Sequence, residues 1–389
     1  MIHPNKERVY AMSIRHLIYS VALSFVLLGA GVVIAQDSIS AAIQPYVEQG
    51  VFPGLLSVSA DQEGRLTVES VGWADIERRI PMAMDSVYWI ASMTKGVTGA
   101  GLLILVDEGL VDLDAPIENY LPEFKNIRVE EAGENGVVTV RPPKTKPTLR
   151  QAMCHMAGFR FVTPTMDRFG IDIFPARILA STMVEVPLFA DPGTKFGYSN
   201  LGIDVGAAVI EAVTGAPFEE FLQKRIFDPL EMNDTSFWLT EDQNARLVTP
   251  YKVVDGQCVA DTIDPLTYPL TDRNRRYAEA GGGLFSTPRD IIKFYQMIAG
   301  KGEYRGVRIL SEEAIRTLAT KQTPEGTDAA YSVGMWTDGE SIWHGGALGT
   351  EGHANLQTGE ARIYMVQLTS SVDPKIKETV NRILDSRVK

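Results

Sequence analysis

The order of secondary-structure signals along the chain limits its fold more than any single motif does. Two β-rich runs in "GLLSVSADQEGRLTVESVGWAD" (54–75) flank Asp61-Gln62-Glu63-Gly64 and read as a hairpin. Near the other end, "YSVGMWTD" (331–338) and "ARIYMVQLTS" (361–370) also read as strands. The middle is helical: "NLGIDVGAAVIEAVTG" and "PFEEFLQKRIF" are helices with a glycine stop between them. "TPRDIIKFYQMIAGKG" is another, with Thr287 as N-cap and Pro288 in the first position. "ISAAIQPYVEQG" and "PKIKETVNRILDSRV" are helices at the two ends, and "NIRVEEAGENGVVTVRPPKTKPTLR" is a charged surface hairpin. Strands at both ends must share one sheet to bury a face. The expected fold is therefore α/β (α+β): an antiparallel sheet from the N- and C-terminal segments, flanked by helices, with a mostly helical region inserted. The expected divisions are a signal peptide (1–35), the first part of the α/β domain (36–115), the helical insertion (116–280) and the second part of the α/β domain (281–389).

Within that frame, "YWIASMTKGVTGAGLLILVDEGL" (88–110) reads as a buried helix closed by Gly109. It opens with Ser92 and carries Lys95 three residues later, on the same helical face. A serine hydroxyl becomes a nucleophile when a base takes its proton, and a lysine desolvated in a core can be that base. Free N–H groups at a helix start also favour a developing oxyanion. Against this stands plain N-capping by Ser92. A capping box, however, calls for Glu or Gln where Lys95 stands.

Charge and leader sequence exclude other classes. The formal net charge is −12, which argues against nucleic acid or anionic membrane as partner. Lys6, Arg8 and Arg15 precede the uncharged run "LIYSVALSFVLLGAGVVIA" (17–35), which ends in small residues. That is a secretory signal pattern, with an uncleaved N-terminal anchor as the alternative. The protein is expected to be exported, periplasmic or secreted, without stable membrane insertion once the signal is cleaved. Without residues 1–35, which carry three cations and one anion, the net charge is −14. Cys154 and Cys258 either pair or remain buried thiols. Two cysteines and five histidines make no metal-ligand spacing.

Two further stretches bear on Ser92 and Lys95. "PGTKFGYSNLG" contains Tyr198-Ser199-Asn200, the one Tyr-x-Asn in the chain, in a turn before a helix. "WHGGALGTEGH" contains His344-Gly345-Gly346 on or beside a strand, where glycines let backbone approach a ligand. In order, these motifs resemble the serine β-lactamase and penicillin-binding-protein superfamily, most closely its class C-like branch with the family VIII carboxylesterases. The resemblance extends over most of residues 40–370. It includes "LRQAMCHMAGF", where the family usually has His-Thr-Ser-Gly and this chain has His155-Met156-Ala157-Gly158.

The resemblance implies roles. Ser92 is the acylated nucleophile; Lys95 and Tyr198 share the general-base role, and Tyr198 helps protonate the leaving group. Asn200 bonds Lys95 or a substrate amide. The oxyanion hole is the N–H of Ser92 with that of Ala347, which follows His344-Gly345-Gly346. No cofactor and no metal is required. The substrates implied are small-molecule esters, amides or β-lactams. The family's lysine at the third motif, which helps bind a substrate carboxylate, is His344 here. That departure favours esters over penicillins or D-Ala-D-Ala termini. D,D-peptidase or D-aminopeptidase, true class C-like β-lactamase and non-catalytic binding protein are the alternatives.

Overall fold

The computed structural model describes residues 38–133, 138–369 and 373–386; the leader at 1–35 lies outside the described residues. Seven strands form one antiparallel sheet: β1 (Gly54–Ala60), β2 (Leu66–Asp75), β3 (Ile80–Pro81), β4 (Trp336–Thr337), β5 (Ser341–Gly345), β6 (Glu351–Asn355) and β7 (Ala361–Met365). Their spatial order is β4-β5-β6-β7-β1-β2-β3. The two ends of the chain meet at β1 and β7, with Val58 opposite Ile363. Alternation along these strands fills two cores. Leu56, Val58, Ile363 and Met365 enter the main core. Leu55, Tyr364 and Val366 face the other way, onto α1 (Ile39–Glu48) and Ile376 of the closing helix.

The main core lies between the sheet and the helices. α2 (Thr94–Asp107) crosses it and is buried from Thr94 through Leu105. α3 (Asn200–Thr214) packs beside α2 and ends at Gly215, whose φ of 70° is the left-handed stop expected of that glycine. α4 (Pro288–Ala299) covers β1, β6 and β7. Its N-cap Thr287 accepts from the Asp290 N–H, as the sequence predicts. The segment between the sheet halves carries short helices joined by long connections, α3, and two hairpins, Val129–Ala132 with Val138–Arg141 and Tyr251–Val254 with Gln257–Ala260.

The structure corrects two expectations. "YSVGMWTD" is not one strand, because only Trp336–Thr337 pairs with β5. Gly334, at φ 76°, turns the chain so that its own Cα passes over the backbone of Lys95, and a Cβ there would stand 2.3 Å from the Lys95 carbonyl oxygen. A continuous strand cannot make that approach. Ser92 also does not begin the α-helix. It sits in a single 3-10 turn (Ala91–Met93) just before α2, and its side chain caps nothing. Both cysteines are free thiols. Among the described residues no single helix is long and apolar enough to cross a membrane.

Candidate active site

Ser92 is held out of the helix by a strained turn. Ala91 adopts φ 46°, a left-handed conformation that costs a non-glycine residue about 1–3 kcal/mol. Its neighbours impose it. Ile90 N–H donates to Leu284 O at 3.0 Å, and Thr94 Oγ1 donates to Ala91 O at 2.6 Å. The strap 280–284 runs along the turn and α2, accepting from Thr98 Oγ1 at Ala280 O, from Lys95 Nζ at Gly281 O and from Trp89 Nε1 at Gly282 O.

Lys95 is fully buried. Its Nζ lies 2.7 Å from Asn200 Oδ1, 2.5 Å from Gly281 O and 3.2 Å from Ser92 Oγ. It stands over the Tyr198 ring, 4.8 Å from the centroid. Burial lowers its pKa to about 8, against the opposing pull of Glu279 and Asp204. A neutral amine has two N–H donors and one lone pair. While protonated, Lys95 donates to all three oxygens; on losing a proton it can keep Asn200 and Gly281 as acceptors and turn its lone pair to the Ser92 hydroxyl.

Tyr198 reaches the same point from the turn before α3, where Ser199 caps the helix by accepting from Gly202 N–H. Burial pushes the Tyr198 phenol up to about 12, against a lowering effect of the nearby Ser92 hydroxyl, so it stays protonated at neutral pH. The Ser199 N–H donates to His155 Nδ1 at 3.2 Å, and the His155 ring packs 4.6 Å from that of Tyr198. His155 thus supports the turn from behind and stays neutral, because burial and Lys95 lower its pKa.

β5 brings His344 in from the third side. Its Nδ1 lies 2.7 Å from the Gly345 carbonyl, so that nitrogen carries the proton. Its Nε2 then accepts from Tyr331 OH at 3.0 Å, with Tyr198 OH at 3.4 Å. Burial first, and Lys95 second, lower the His344 pKa to about 3. The ring is neutral, with both nitrogens engaged. Trp343, on the opposite face, stacks on His353 as a packed strand aromatic.

Past β5 the chain is pressed against the serine turn. A Cβ on Gly346 would stand 2.4 Å from Ile90 O and 2.2 Å from Thr350 Oγ1, so only glycine fits. Gly346 N–H donates to Thr350 O at 2.7 Å. The N–H groups of Ser92 and Ala347 have no acceptor among the described residues. Of the residues expected from the sequence, Ser92, Lys95, Tyr198, Asn200 and His344 are thus linked by direct contacts, and Gly346, with Gly345 and Ala347 on either side, packs against the turn before Ser92. His155 was marked only as part of a resembling segment, without a role, and Tyr331, Glu279 and Asp204 were not foreseen. Of those three, Asp204 alone left a signal, as the lone charge in the apolar run 201–210.

A serine hydrogen-bonded to a buried lysine, in this α/β arrangement, is the setting in which serine acyl-transfer enzymes work. The chain belongs to the Beta-lactamase family, whose model matches residues 39–385. It is a serine hydrolase of the β-lactamase-like fold. Protein Rv1367c of Mycobacterium tuberculosis is 29% identical over 294 residues, 73% of this chain and 71% of that protein. The lovastatin esterase of Penicillium rubens is 28% identical over 270 residues, 66% of each chain. Among solved structures, a mutant simvastatin synthase (LovD) from Aspergillus terreus shares the fold, with a TM-score of 0.74 at 21% identity over 92% of this chain and 99% of that one.

Proposed function

We propose that this hydrolase acts on neutral carboxylic esters through an acyl-enzyme on Ser92. The observation that carries the ester preference is His344. A third-motif side chain that is buried, neutral and engaged at both nitrogens offers no fixed charge to a substrate carboxylate. The similarity to a lovastatin esterase supports the same reading.

The steps follow from the geometry. Neutral Lys95 takes the Ser92 proton through its free lone pair as Oγ bonds the acyl carbon. The carbonyl oxygen becomes an oxyanion between the N–H groups of Ser92 and Ala347. On collapse the bond to the alcohol breaks, Tyr198 gives its proton to the leaving oxygen, and Lys95 returns one to Tyr198. Water then enters in place of the alcohol and the steps run in reverse: Tyr198 passes its proton to Lys95 and takes one from the water as that oxygen bonds the acyl carbon, the bond to Ser92 Oγ breaks as Lys95 returns a proton to Oγ, and the acid leaves. Phe161, half exposed, stacks on Tyr198 at 6.2 Å and supplies an apolar lip for the acyl or alcohol group.

Mass spectrometry tests this directly. A fluorophosphonate is expected to add once to the wild type and not to Ser92→Ala, with p-nitrophenyl ester turnover falling at least ~10⁴-fold in the variant. Penicillin adducts and D-Ala release from a muropeptide are expected to form slowly. Rapid β-lactam acylation would place the protein with the β-lactamases or peptidases instead, and no labelling would make it a binding protein. The leader at 1–35 is read as an export signal; N-terminal sequencing of the secreted protein should begin at Gln36.

A further inference from the structure

Two carboxyl groups lie behind Lys95 that the steps above do not use. Glu279 is 2% exposed and Asp204 1%. Neither oxygen of Glu279, nor Asp204 Oδ2, has a hydrogen-bond partner. A buried carboxylate in that condition is strongly disfavoured. It takes up a proton or leans on a nearby cation.

The placement of both acids points to the lysine. Glu279 begins the strap whose Gly281 carbonyl accepts from Lys95. A Cβ on Gly281 would stand 2.8 Å from Glu279 Oε1 and 2.9 Å from Asn200 Oδ1, the other oxygen that holds Lys95. The Glu279 carboxyl thus sits against both of the lysine's acceptors. Asp204 is one turn beyond Asn200 on α3, on the same helical face. Lys95 therefore feels an acid from the segment that leads into the strap and an acid from α3.

We propose that Glu279, backed by Asp204, shares one proton with Lys95 and so sets the pH at which Ser92 becomes reactive. The proposal rests on the reading of Lys95 as the base. Glu279 touches no substrate; it is a positioning residue for a proton. The other groups around Lys95 do not compete for it. His155 and His344 stay neutral through burial, and Tyr198 stays protonated. Burial raises Glu279, Lys95 lowers it, and the nearby N–H groups of Gly281 and Gly282 favour its anion without reaching hydrogen-bond geometry; Asp172, farther back, raises it slightly. Burial first and Glu279 second raise Asp204, which keeps its proton while Glu279 is ionised. An ionised Glu279 holds Lys95 in its protonated, unreactive form. A neutral side chain there frees the base.

The test is kcat/KM for p-nitrophenyl butyrate from pH 5 to 10, using the full chain and the variants Glu279→Gln and Glu279→Leu. Both are expected to move the acid limb down by at least about half a pH unit, a ~3-fold gain on that limb, with the alkaline plateau kept. A merely structural role would lower the plateau and leave the midpoint in place. Glu279→Leu covers the case in which the glutamine variant does not fold, since leucine brings no amide that needs partners in the buried site. A limb that stays put or moves up in a folded variant overturns the proposal. Fluorophosphonate labelling of the wild type separates the two levels. A labelled Ser92 with an unmoved limb refutes the role of Glu279 alone, whereas an unlabelled, inactive wild type refutes the reading beneath it.

Discussion

Gly346→Ala isolates the oxyanion hole. Gly346 has no left-handed φ, so alanine suits its backbone conformation and the effect comes from contact alone. The new methyl would stand 2.4 Å from Ile90 O and 2.2 Å from Thr350 Oγ1. Thr350 Oγ1 can rotate away, but Ile90 O is backbone in the strained turn. Bringing that contact to the 3.0 Å that real methyl groups keep moves the 346–347 peptide outward by at least about 0.6 Å. An N–H···O bond of ~2.9 Å becomes one of ~3.5 Å, which is effectively no bond. Losing one oxyanion donor costs about 10²–10³ in kcat. Substrate is held elsewhere, so KM should change less than about threefold. The assay is steady-state hydrolysis of p-nitrophenyl butyrate beside a thermal melt. A folded variant with kcat within threefold of wild type would refute both the clash and the role of the Ala347 N–H.

Other expectations follow from the same geometry. Because Lys95 must be neutral to take the proton and its pKa is lowered to about 8, kcat/KM for an uncharged ester should rise with pH and level off above that value. A flat profile from pH 5 to 9 would remove Lys95 as the base. Tyr331→Phe frees His344 Nε2 to accept from Tyr198, now only 3.4 Å away, and so draws the Tyr198 proton from the leaving group. Ethyl ester turnover should fall about tenfold while p-nitrophenyl turnover, which needs little proton assistance, stays within threefold. Equal losses for both esters would refute this. Arg276 and Asp172 form an ion pair at 2.5 Å, exposed by 1% and 0%, which ties the end of the 161–172 segment to the stretch before the strap. Arg276→Met strands Asp172 and should cost about 3–5 kcal/mol in denaturant unfolding; a loss under 1 kcal/mol would show that the pair carries little.

Ser92, Lys95 and the two later motifs were legible as candidates because each depends on local chemistry. Ser92 and Lys95 are three residues apart, and the Tyr198-Ser199-Asn200 turn is written in adjacent residues. Hairpins and helix stops were legible for the same reason: Gly215 and Thr287 act on their own neighbours. "YSVGMWTD" failed because its path answers to α2, not to its own β propensity. Gly334 bends it over the Lys95 carbonyl, a contact between residues 239 positions apart in sequence.

The sequence by itself determined which groups are present: a serine and lysine on one face, a tyrosine, an asparagine, and a histidine in place of a cation. Only the tertiary structure decided their protonation states. His344 is neutral because the fold buries it and gives Nδ1 a carbonyl and Nε2 a tyrosine hydroxyl, Tyr331, which no local pattern marks. Burial lowers the Lys95 pKa, against the pull of Glu279 and Asp204, which come from 184 and 109 residues away. Charge in a low-dielectric interior depends on what else is packed within a few ångströms, and spacing along the chain does not record that distance.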